Sequence, residues 1–142
     1  MPQTSELVQP TSALGKWVID FFEQLFCQPE DEIAASTLRD RTAEDFTARH
    51  NHDHFTRQSF IEAMIGFRIH GTTEILDVKE IQVWEAPDGS GGGSVSQLYR
   101  FTDIVKETGA RTELLTLLIA SVMVINGKKV LTDLTEVSNQ LN

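Results

Sequence analysis

The hydrophobic pattern of this chain changes its period once, near Thr72. Before this point apolar residues recur every three or four positions, and after it they recur at every second position between clusters of turn-forming residues. The first spacing is typical of amphipathic helices and the second of β-strands. A helical first part followed by a strand-rich second part predicts the α+β class, in which helices pack against one sheet.

Two helices are predicted near the N-terminus. The first begins after Thr11 or Ser12, either of which suits the N-cap, and its aromatic stripe continues until Pro29 disfavours helix at the residue before it. The second opens at Pro29, which suits a first helical position, and acidic residues follow at the positive end of its dipole. A short extended run over residues 45–51 comes next.

A third helix is predicted from the residues around Thr56. Thr56 suits the N-cap, and Phe55 and Phe60 have the spacing of a hydrophobic staple across the helix start. Gly71 is expected to end the helix.

Four long strands are predicted after the third helix. They cover residues 74–86, 95–108, 111–125 and 128–137. A glycine-rich segment, a Gly-Ala pair and an Asn-Gly pair separate them, and the last of these is a strong hairpin signal. Connections this short require neighbouring strands to run antiparallel.

The strand around residues 114–125 is apolar on both faces. A strand with this pattern needs cover on both sides of the sheet. One face is expected to lie on the helices and a cavity. The other would be an association surface, and a second copy of the chain is the simplest cover for it. We therefore expect a homodimer formed through the outer face of the sheet.

Composition limits the kinds of partner. The chain has 142 residues and a net charge of −9, and an acidic surface of this kind repels phosphate backbones, so no nucleic-acid partner is expected. The single cysteine, Cys27, excludes an intrachain disulfide and fits a reducing compartment. No apolar run approaches the ~18 residues of a membrane span. We expect a cytoplasmic protein without a membrane partner, with a flexible N-terminus over residues 1–10 and a single domain over residues 11–142.

The most unusual polar segment covers residues 49–54 and contains three alternating histidines, His50, His52 and His54. Alternate side chains share one face of a strand, so three imidazoles could meet a metal ion. The chain must turn before the third helix, however, which breaks the alternation, and no metal or other cofactor is expected. Histidine also titrates near neutral pH and can move a proton in either direction.

His50 is the histidine predicted to face the cavity. Phe46, Ala48 and His50 alternate along one side of the extended run, and the apolar members mark that side as buried. Burial beside Phe46 is expected to lower the pKa of His50. A nearby Glu136 or Asp103 would oppose that shift, so the direction of the shift identifies the partner of His50.

Arg68 falls on the apolar face of the third helix, four residues after Met64. A buried arginine needs an anionic partner, because an unpaired buried charge is costly. Glu136, Asp103 or a carboxylate or enolate of a substrate could serve as that partner.

Three local segments resemble the nuclear-transport-factor-2-like superfamily, especially its SnoaL-like branch. They are the aromatic first helix at residues 17–22, the polar segment 48–51 followed by the helix at 59–62, and the ending at residues 124–130. The resemblance covers nearly the whole chain, from about Leu14 to Val137. It implies a cone-shaped, strongly curved antiparallel sheet packed on about three N-terminal helices and enclosing an apolar cavity.

The same resemblance implies a function. Members of the superfamily include ketosteroid isomerases, polyketide cyclases, dehydratases and binding domains without catalytic activity. Ketosteroid isomerases carry a tyrosine near Trp17 or Phe21 and a protonated aspartate near Ser121, and this chain has neither at those positions. Classical steroid isomerisation is therefore not expected.

The resulting prediction is an enzyme that transfers protons without a cofactor, in an isomerisation, cyclisation or dehydration of an apolar, oxygenated small molecule. His50 and Asn51 are the predicted catalytic residues, as acid/base and as orienting group for the substrate oxygen. The predicted substrate-binding residues are Trp17, Phe21, Arg68, Tyr99, Ser121 and Glu136. The alternative is a ligand-binding or dimerisation domain of the same fold without catalytic activity.

Overall fold

The computed structural model describes residues 11–142, and the expected flexible segment 1–10 lies outside the described residues. The helices are α1 (Ala13–Phe22), α2 (Asp31–Asp40) and α3 (Arg57–His70), and a π-helical turn, Glu23–Cys27, prolongs α1. The strands are β1 (Thr42–His50), β2 (Asp53–Thr56), β3 (Gly71–Glu85), β4 (Gly93–Val105), β5 (Arg111–Ile125) and β6 (Lys128–Gln140). The predicted α+β class is confirmed.

The helix starts follow local chemistry. The Ser12 hydroxyl accepts a hydrogen bond from the Gly15 N–H at 2.9 Å and caps α1. Thr56 is the N-cap of α3, as predicted, and it forms a capping box with Ser59. The second helix differs from its prediction, because it begins at Asp31 with Glu30 as its N-cap.

Within residues 11–142, the sheet has six strands in the order β2-β1-β6-β5-β4-β3. The four long strands β3 to β6 pair antiparallel with their neighbours, as predicted. The sheet as a whole is mixed, however, because β1 lies parallel to β6 and forms a hairpin with the unpredicted strand β2. Strands so far apart in sequence are not joined by a hairpin, so the direction of this pair could not be read from local patterns.

Two bulges shape the edge strand β3. The register shifts between Ile75 and Asp77 and again between Glu80 and Gln82. An extra residue in one strand bends it and increases its twist. The sheet therefore curves over the helices without closing into a barrel, since β2 and β3 remain its two edges.

The core lies between the helices and the concave face of the sheet. Its largest fully buried side chains are mostly aromatic or aliphatic and include Tyr99, Phe21, Phe22, Phe46, Leu25, Leu118 and Leu134. Within residues 11–142, no helix has the length and apolar character needed to cross a membrane.

Buried polar groups fasten the start of α1 to the sheet. The Gln97 side-chain amide donates to the Gly15 carbonyl at 3.0 Å, and the Tyr99 hydroxyl donates to the Gln97 side-chain oxygen at 2.7 Å. The Ser12 hydroxyl donates to the Glu80 carboxylate at 2.8 Å. A Cβ at Gly15 would collide with that carboxylate, so glycine permits this close approach.

Candidate functional site

A cavity of about 180 Å³ opens between the helices and the concave face of the sheet. Its apolar wall consists of Phe22, Phe26, Phe60, Met64, Phe67, Phe101 and Leu114. Its polar wall consists of His50, Thr73, Asp103, Thr116, Glu136 and Ser138. The cavity thus combines an aromatic surface with three titratable side chains.

His50 and Glu136 meet through the parallel pairing of β1 and β6. The register places these two residues opposite one another, and the His50 Nδ1 lies 3.0 Å from the Glu136 Oε1. The side chain of Glu136 is 15% exposed and that of His50 is 44% exposed. Phe46 and Ala48 are buried on the same side of β1, which is the side that the sequence alternation predicts for His50. Because the bond uses Nδ1, Nε2 is the ring nitrogen left for a ligand.

The hydrogen bond that His50 donates to the Glu136 carboxylate raises the pKa of His50 above its usual value, and burial opposes this effect. The negative charges of Glu136, Asp53 and Asp103 act in the same direction as the bond. Burial acts downward on the pKa of His50, as expected, but the net shift is upward, and this direction identifies Glu136 as the partner. The reason is the partner carboxylate, whose effect exceeds the cost of partial desolvation.

Asp103 also lines the cavity, whereas the sequence had suggested it only as a partner for other side chains. Burial raises the pKa of its carboxyl group, while a 2.8 Å hydrogen bond from the Thr73 hydroxyl and the charge of His50 oppose the rise. Asp103 continues the inward alternation of Tyr99 and Phe101 along β4, and both of these are buried. That alternation was the available signal, because alternate strand residues share a face.

Asn51 lies beside the cavity with its side chain turned to the backbone of β6. Its Nδ2 donates to the Ser138 carbonyl at 3.2 Å, and its Oδ1 accepts from the Ser138 N–H at 2.8 Å. The Ser138 hydroxyl in turn lies 2.8 Å from the Thr116 hydroxyl in the cavity wall. The amide of Asn51 is thus engaged with the protein rather than with the space a substrate would occupy.

The aromatic residues predicted to bind substrate lie behind the cavity wall. Phe21 and Tyr99 are fully buried in the core, and neither lines the cavity. Trp17 packs against the core from outside, with the Arg41 guanidinium 5.8 Å from the centre of its ring. The stripe on α1 is wider than the cavity, and it is Phe22, with Phe26 from the π-helical turn, that reaches the open space.

Arg68 is placed outside the cavity. Its guanidinium donates to the Asp31 carboxylate at 3.1 Å and to the carbonyls of Leu25 and Gln28 at 2.8 and 3.1 Å. Its partner is therefore Asp31 rather than Glu136 or Asp103. Asp31 lies in the first turn of α2, which packs beside α3, and this contact between helices could not be read from sequence spacing.

Ser121 also lies away from the cavity. Its hydroxyl is 3.1 Å from that of Ser94 on the neighbouring strand. The buried neighbours Ala120 and Val122 occupy the concave face of β5, so alternation places Ser121 on the other face. Within the described residues, no group of three His, Cys, Asp or Glu side chains could hold a metal ion.

Comparisons with known proteins bear on the fold. No protein-family model and no curated protein matches the sequence. A conserved protein from Planctomyces limnophilus matches in structure with a TM-score of 0.68 and 10% identity, covering 99% of this chain and 100% of its own. A ketosteroid isomerase-like protein from Erwinia carotovora atroseptica matches with a TM-score of 0.69 and 8% identity, covering 93% and 96%.

A candidate SnoaL-like polyketide cyclase from Mesorhizobium loti matches with a TM-score of 0.51 and 14% identity, covering 88% of this chain and 98% of its own. At identities this low, the likeness establishes the fold alone. This chain therefore has the curved-sheet α+β fold of the nuclear-transport-factor-2-like superfamily, the fold in which ketosteroid isomerase-like and SnoaL-like proteins are built.

Proposed function

We propose that this protein catalyses a cofactor-free proton transfer on a small, apolar, oxygenated molecule bound in the cavity. The observation that carries the proposal is the convergence of His50, Asp103 and Glu136 in one largely aromatic cavity. Titratable groups with perturbed pKa values in a cleft are candidates for acid/base catalysis. The fold, shared with a ketosteroid isomerase-like protein, is compatible with this chemistry but does not specify it.

The two shifted groups divide the acid and base roles between them. The bond to Glu136 raises the pKa of His50 and keeps its imidazolium form to higher pH. Burial raises the pKa of Asp103 and makes its carboxylate a stronger base than an exposed one. Between the two pKa values, Asp103 is ionised and His50 is protonated. The site then holds a base and an acid at the same time.

The proposed step is an enolisation. The Asp103 carboxylate takes a proton from a carbon next to a carbonyl group, and the electron pair of that C–H bond moves to the carbonyl oxygen. His50 donates the proton on Nε2 to that oxygen, which gives the neutral enol. Return of a proton to a different carbon completes an isomerisation, and loss of a neighbouring hydroxyl group as water completes a dehydration.

The cavity also limits the size and charge of the ligand. An apolar cavity of about 150 Å³ accommodates a benzene molecule. The 180 Å³ cavity here therefore suits one substituted ring better than a four-ring steroid. None of the described lining residues is a lysine or arginine, and two are carboxylic acids. We therefore expect a neutral ketone or related oxygenated ring rather than a carboxylate.

Hydrogen–deuterium exchange at the carbons next to a ketone carbonyl tests the proposal. A single-ring ketone such as cyclohexanone is incubated with the protein in D₂O, and NMR follows loss of its α-protons. We expect acceleration that falls by roughly 10²-fold or more in Asp103→Asn and His50→Gln, the range of general acid/base catalysis. His54→Gln is the matched control, because His54 is exposed on β2. Equal exchange with and without the protein, despite ligand binding, would contradict catalysis.

The alternative function is ligand binding without catalysis. It is favoured by the five phenylalanine side chains that line the cavity, since a purely apolar surface supplies affinity without chemistry. Binding of the ketone by the unmodified protein, with no exchange above that of the Asp103→Asn variant, would support it.

We also propose that the protein forms a homodimer through the outer face of the sheet. Leu117, Ile119 and Met123 on β5 and Val137 on β6 are exposed there by 40%, 49%, 56% and 61%. Alternate residues of β5 are buried against the core, which places this apolar row on the opposite face.

Charge favours a second copy as the partner. The charged residues beside the row pair with one another, as Arg100 with Glu113 at 2.6 Å and Arg111 with Glu74 at 3.0 Å. The chain carries a net charge of −9, so two copies repel one another over most of their surface. A face that is apolar and locally balanced in charge is where they can meet at least cost.

Light scattering at micromolar concentration tests the dimer. We expect a dimer for the unmodified protein and a monomer or aggregate for Leu117→Lys. Ile69→Lys is the matched control, because Ile69 is 64% exposed on α3, in the other layer of the fold. A monomeric unmodified protein would contradict the proposal.

A further inference from the structure

The turn after β1 contains a polar contact that the proposed chemistry does not use. Asn51 follows His50 directly, and its φ of 53° takes the main chain out of the strand and toward β2. Its N–H still donates to the Glu136 carbonyl at 2.9 Å, so the ladder between β1 and β6 reaches this residue. Asparagine is one of the few residues that adopt this backbone conformation readily.

Beyond that point the side chain of Asn51 takes the place of the main chain. In a regular parallel ladder, the next N–H of β6 would bond to a main-chain carbonyl of β1. Here the N–H of Ser138 bonds instead to the Oδ1 of Asn51 at 2.8 Å, and the Nδ2 of Asn51 returns a bond to the Ser138 carbonyl at 3.2 Å. The two strands stay joined although the main chain of β1 has left the sheet.

This contact lies directly beside the His50–Glu136 pair. His50 immediately precedes Asn51, and Glu136 lies two residues before Ser138 on the strand that Asn51 holds. His50 is the last residue of β1, where the main chain leaves β6, and it pairs there with Asp53 of β2 and Glu136 of β6. The same contact also holds Ser138, whose hydroxyl meets Thr116 in the cavity wall.

We propose that Asn51 is a positioning residue, whose side-chain amide replaces the last rung of the β1–β6 ladder and thereby holds His50 against Glu136. This role differs from orienting a substrate, because both polar atoms of the amide are bonded to Ser138. The inference stands on the geometry of the turn and does not depend on the proposed catalysis, except for its activity readout.

NMR titration of His50 measures the effect. The charged groups that face His50 are Glu136 on β6, Asp53 on β2 and Asp103 on β4. Glu136→Gln sets the scale, since it removes the principal cause of the raised pKa. Asn51→Gly removes the side-chain amide, and glycine tolerates the positive φ of the turn. We expect the pKa of His50 in Asn51→Gly to fall by at least about a third of the fall in Glu136→Gln, because a loosened end lengthens the hydrogen bond.

Asn126→Gly is a matched control. Asn126 has the same φ of 53° in the β5–β6 hairpin, far from His50 along both strands, and should leave the His50 titration unchanged. An unchanged titration in folded Asn51→Gly would overturn the proposal. So would a shift of equal size in both variants, which would indicate a general loss of structure.

A measurement on the unmodified protein avoids the need for a folded variant. The contact predicts a scalar coupling across the hydrogen bond between the Ser138 amide nitrogen and the Asn51 side-chain carbonyl carbon. It also predicts slow exchange of the Ser138 amide proton. Absence of the coupling together with fast exchange would overturn the proposal.

The activity readout separates this inference from the proposed function. If the protein accelerates ketone exchange, the alkaline limb of the pH profile should move to lower pH in Asn51→Gly but not in Asn126→Gly. A shifted His50 titration without any catalysis would contradict the proposed function and leave the positioning role intact. Catalysis with an unshifted titration would do the reverse.

Discussion

Arg68 and His50 are both basic side chains held by a carboxylate, yet they differ in what remains of their hydrogen-bonding capacity. The guanidinium of Arg68 donates through Nε and both terminal nitrogens to Asp31 and two main-chain carbonyls, and its side chain is only 10% exposed. His50 uses Nδ1 alone, lies in a cavity wall and is 44% exposed.

The difference separates the structural role of Arg68 from the acid/base role proposed for His50. A buried charge with all three guanidinium nitrogens bonded to the protein, and placed outside the cavity, joins parts of the fold. A titratable ring with one nitrogen left beside a cavity can exchange protons with whatever the cavity holds. Both residues were equal candidates for a site by residue type, and only their partners distinguish them.

The largest effect is expected from Arg68→Met. The carbonyls of Leu25 and Gln28 lose their donor inside the protein, so the free energy of unfolding should fall by roughly 2–4 kcal/mol. Urea denaturation measures this. Ligand affinity of the folded variant should be unchanged, because Arg68 does not line the cavity.

Arg39→Met is the control for Arg68. Arg39 pairs with Asp40 at 3.5 Å with both side chains more than half exposed, and such pairs contribute about 0–1 kcal/mol. A similar, small loss in both variants would show that the bonds of Arg68 do not stabilise the fold, and the comparison with His50 would fail.

A smaller, pH-dependent effect is expected from His50→Gln. Because the fold raises the pKa of His50, the contact with Glu136 stabilises the protein fully below the unfolded value of 6.5, and this stability is lost as the pH rises through the folded pKa. The unmodified protein should exceed the variant in stability by up to about 1 kcal/mol at pH ~5.5, and the difference should shrink by pH ~9. His54→Gln should show no such trend. A difference that is constant with pH would contradict the pairing.

The smallest effect is expected from Asp103→Asn, and it has the opposite sign. Burial raises the pKa of Asp103, so the protonated form is favoured in the fold, and the unmodified protein loses stability as the pH rises from 3.8 through the folded pKa. The variant does not titrate, so it should melt at a higher temperature than the unmodified protein at neutral pH and gain nothing at low pH. The exposed Asp77→Asn is the control. A lower melting temperature at neutral pH would show that the Asp103 carboxylate stabilises the fold.

Local patterns predicted those parts of the fold that depend on neighbours in sequence. The Phe55 and Phe60 rings, predicted as a staple, lie 6.2 Å apart. The N-cap at Thr56 and the helix end at Gly71 are confirmed. The predicted strand 111–125 matches β5 at both ends. Each of these features rests on interactions within a few residues or on a continuous alternation, and the sequence displays such information directly.

Only the cavity residues on the strands could be predicted from the sequence. Alternation along β1 placed His50 with Phe46 and Ala48, and the same logic would have placed Asp103 with Phe101 on β4. The aromatic stripe of α1 could not be divided in this way. Phe21 lies in the core and Phe22 lines the cavity. Which of them does which depends on how the helix is rotated about its axis against the sheet, and the helical period alone does not specify that rotation.

The sequence by itself thus determined the α+β class, the antiparallel pairing of β3 to β6 and the inward side of β1. Only the tertiary structure decided that β1 lies parallel to β6, which brings His50 to Glu136 across 86 positions of the chain, and that Arg68 meets Asp31. The physical reason is range. Capping, turns and alternation are local, whereas strand order, register and helix docking are selected by how all the apolar faces bury together.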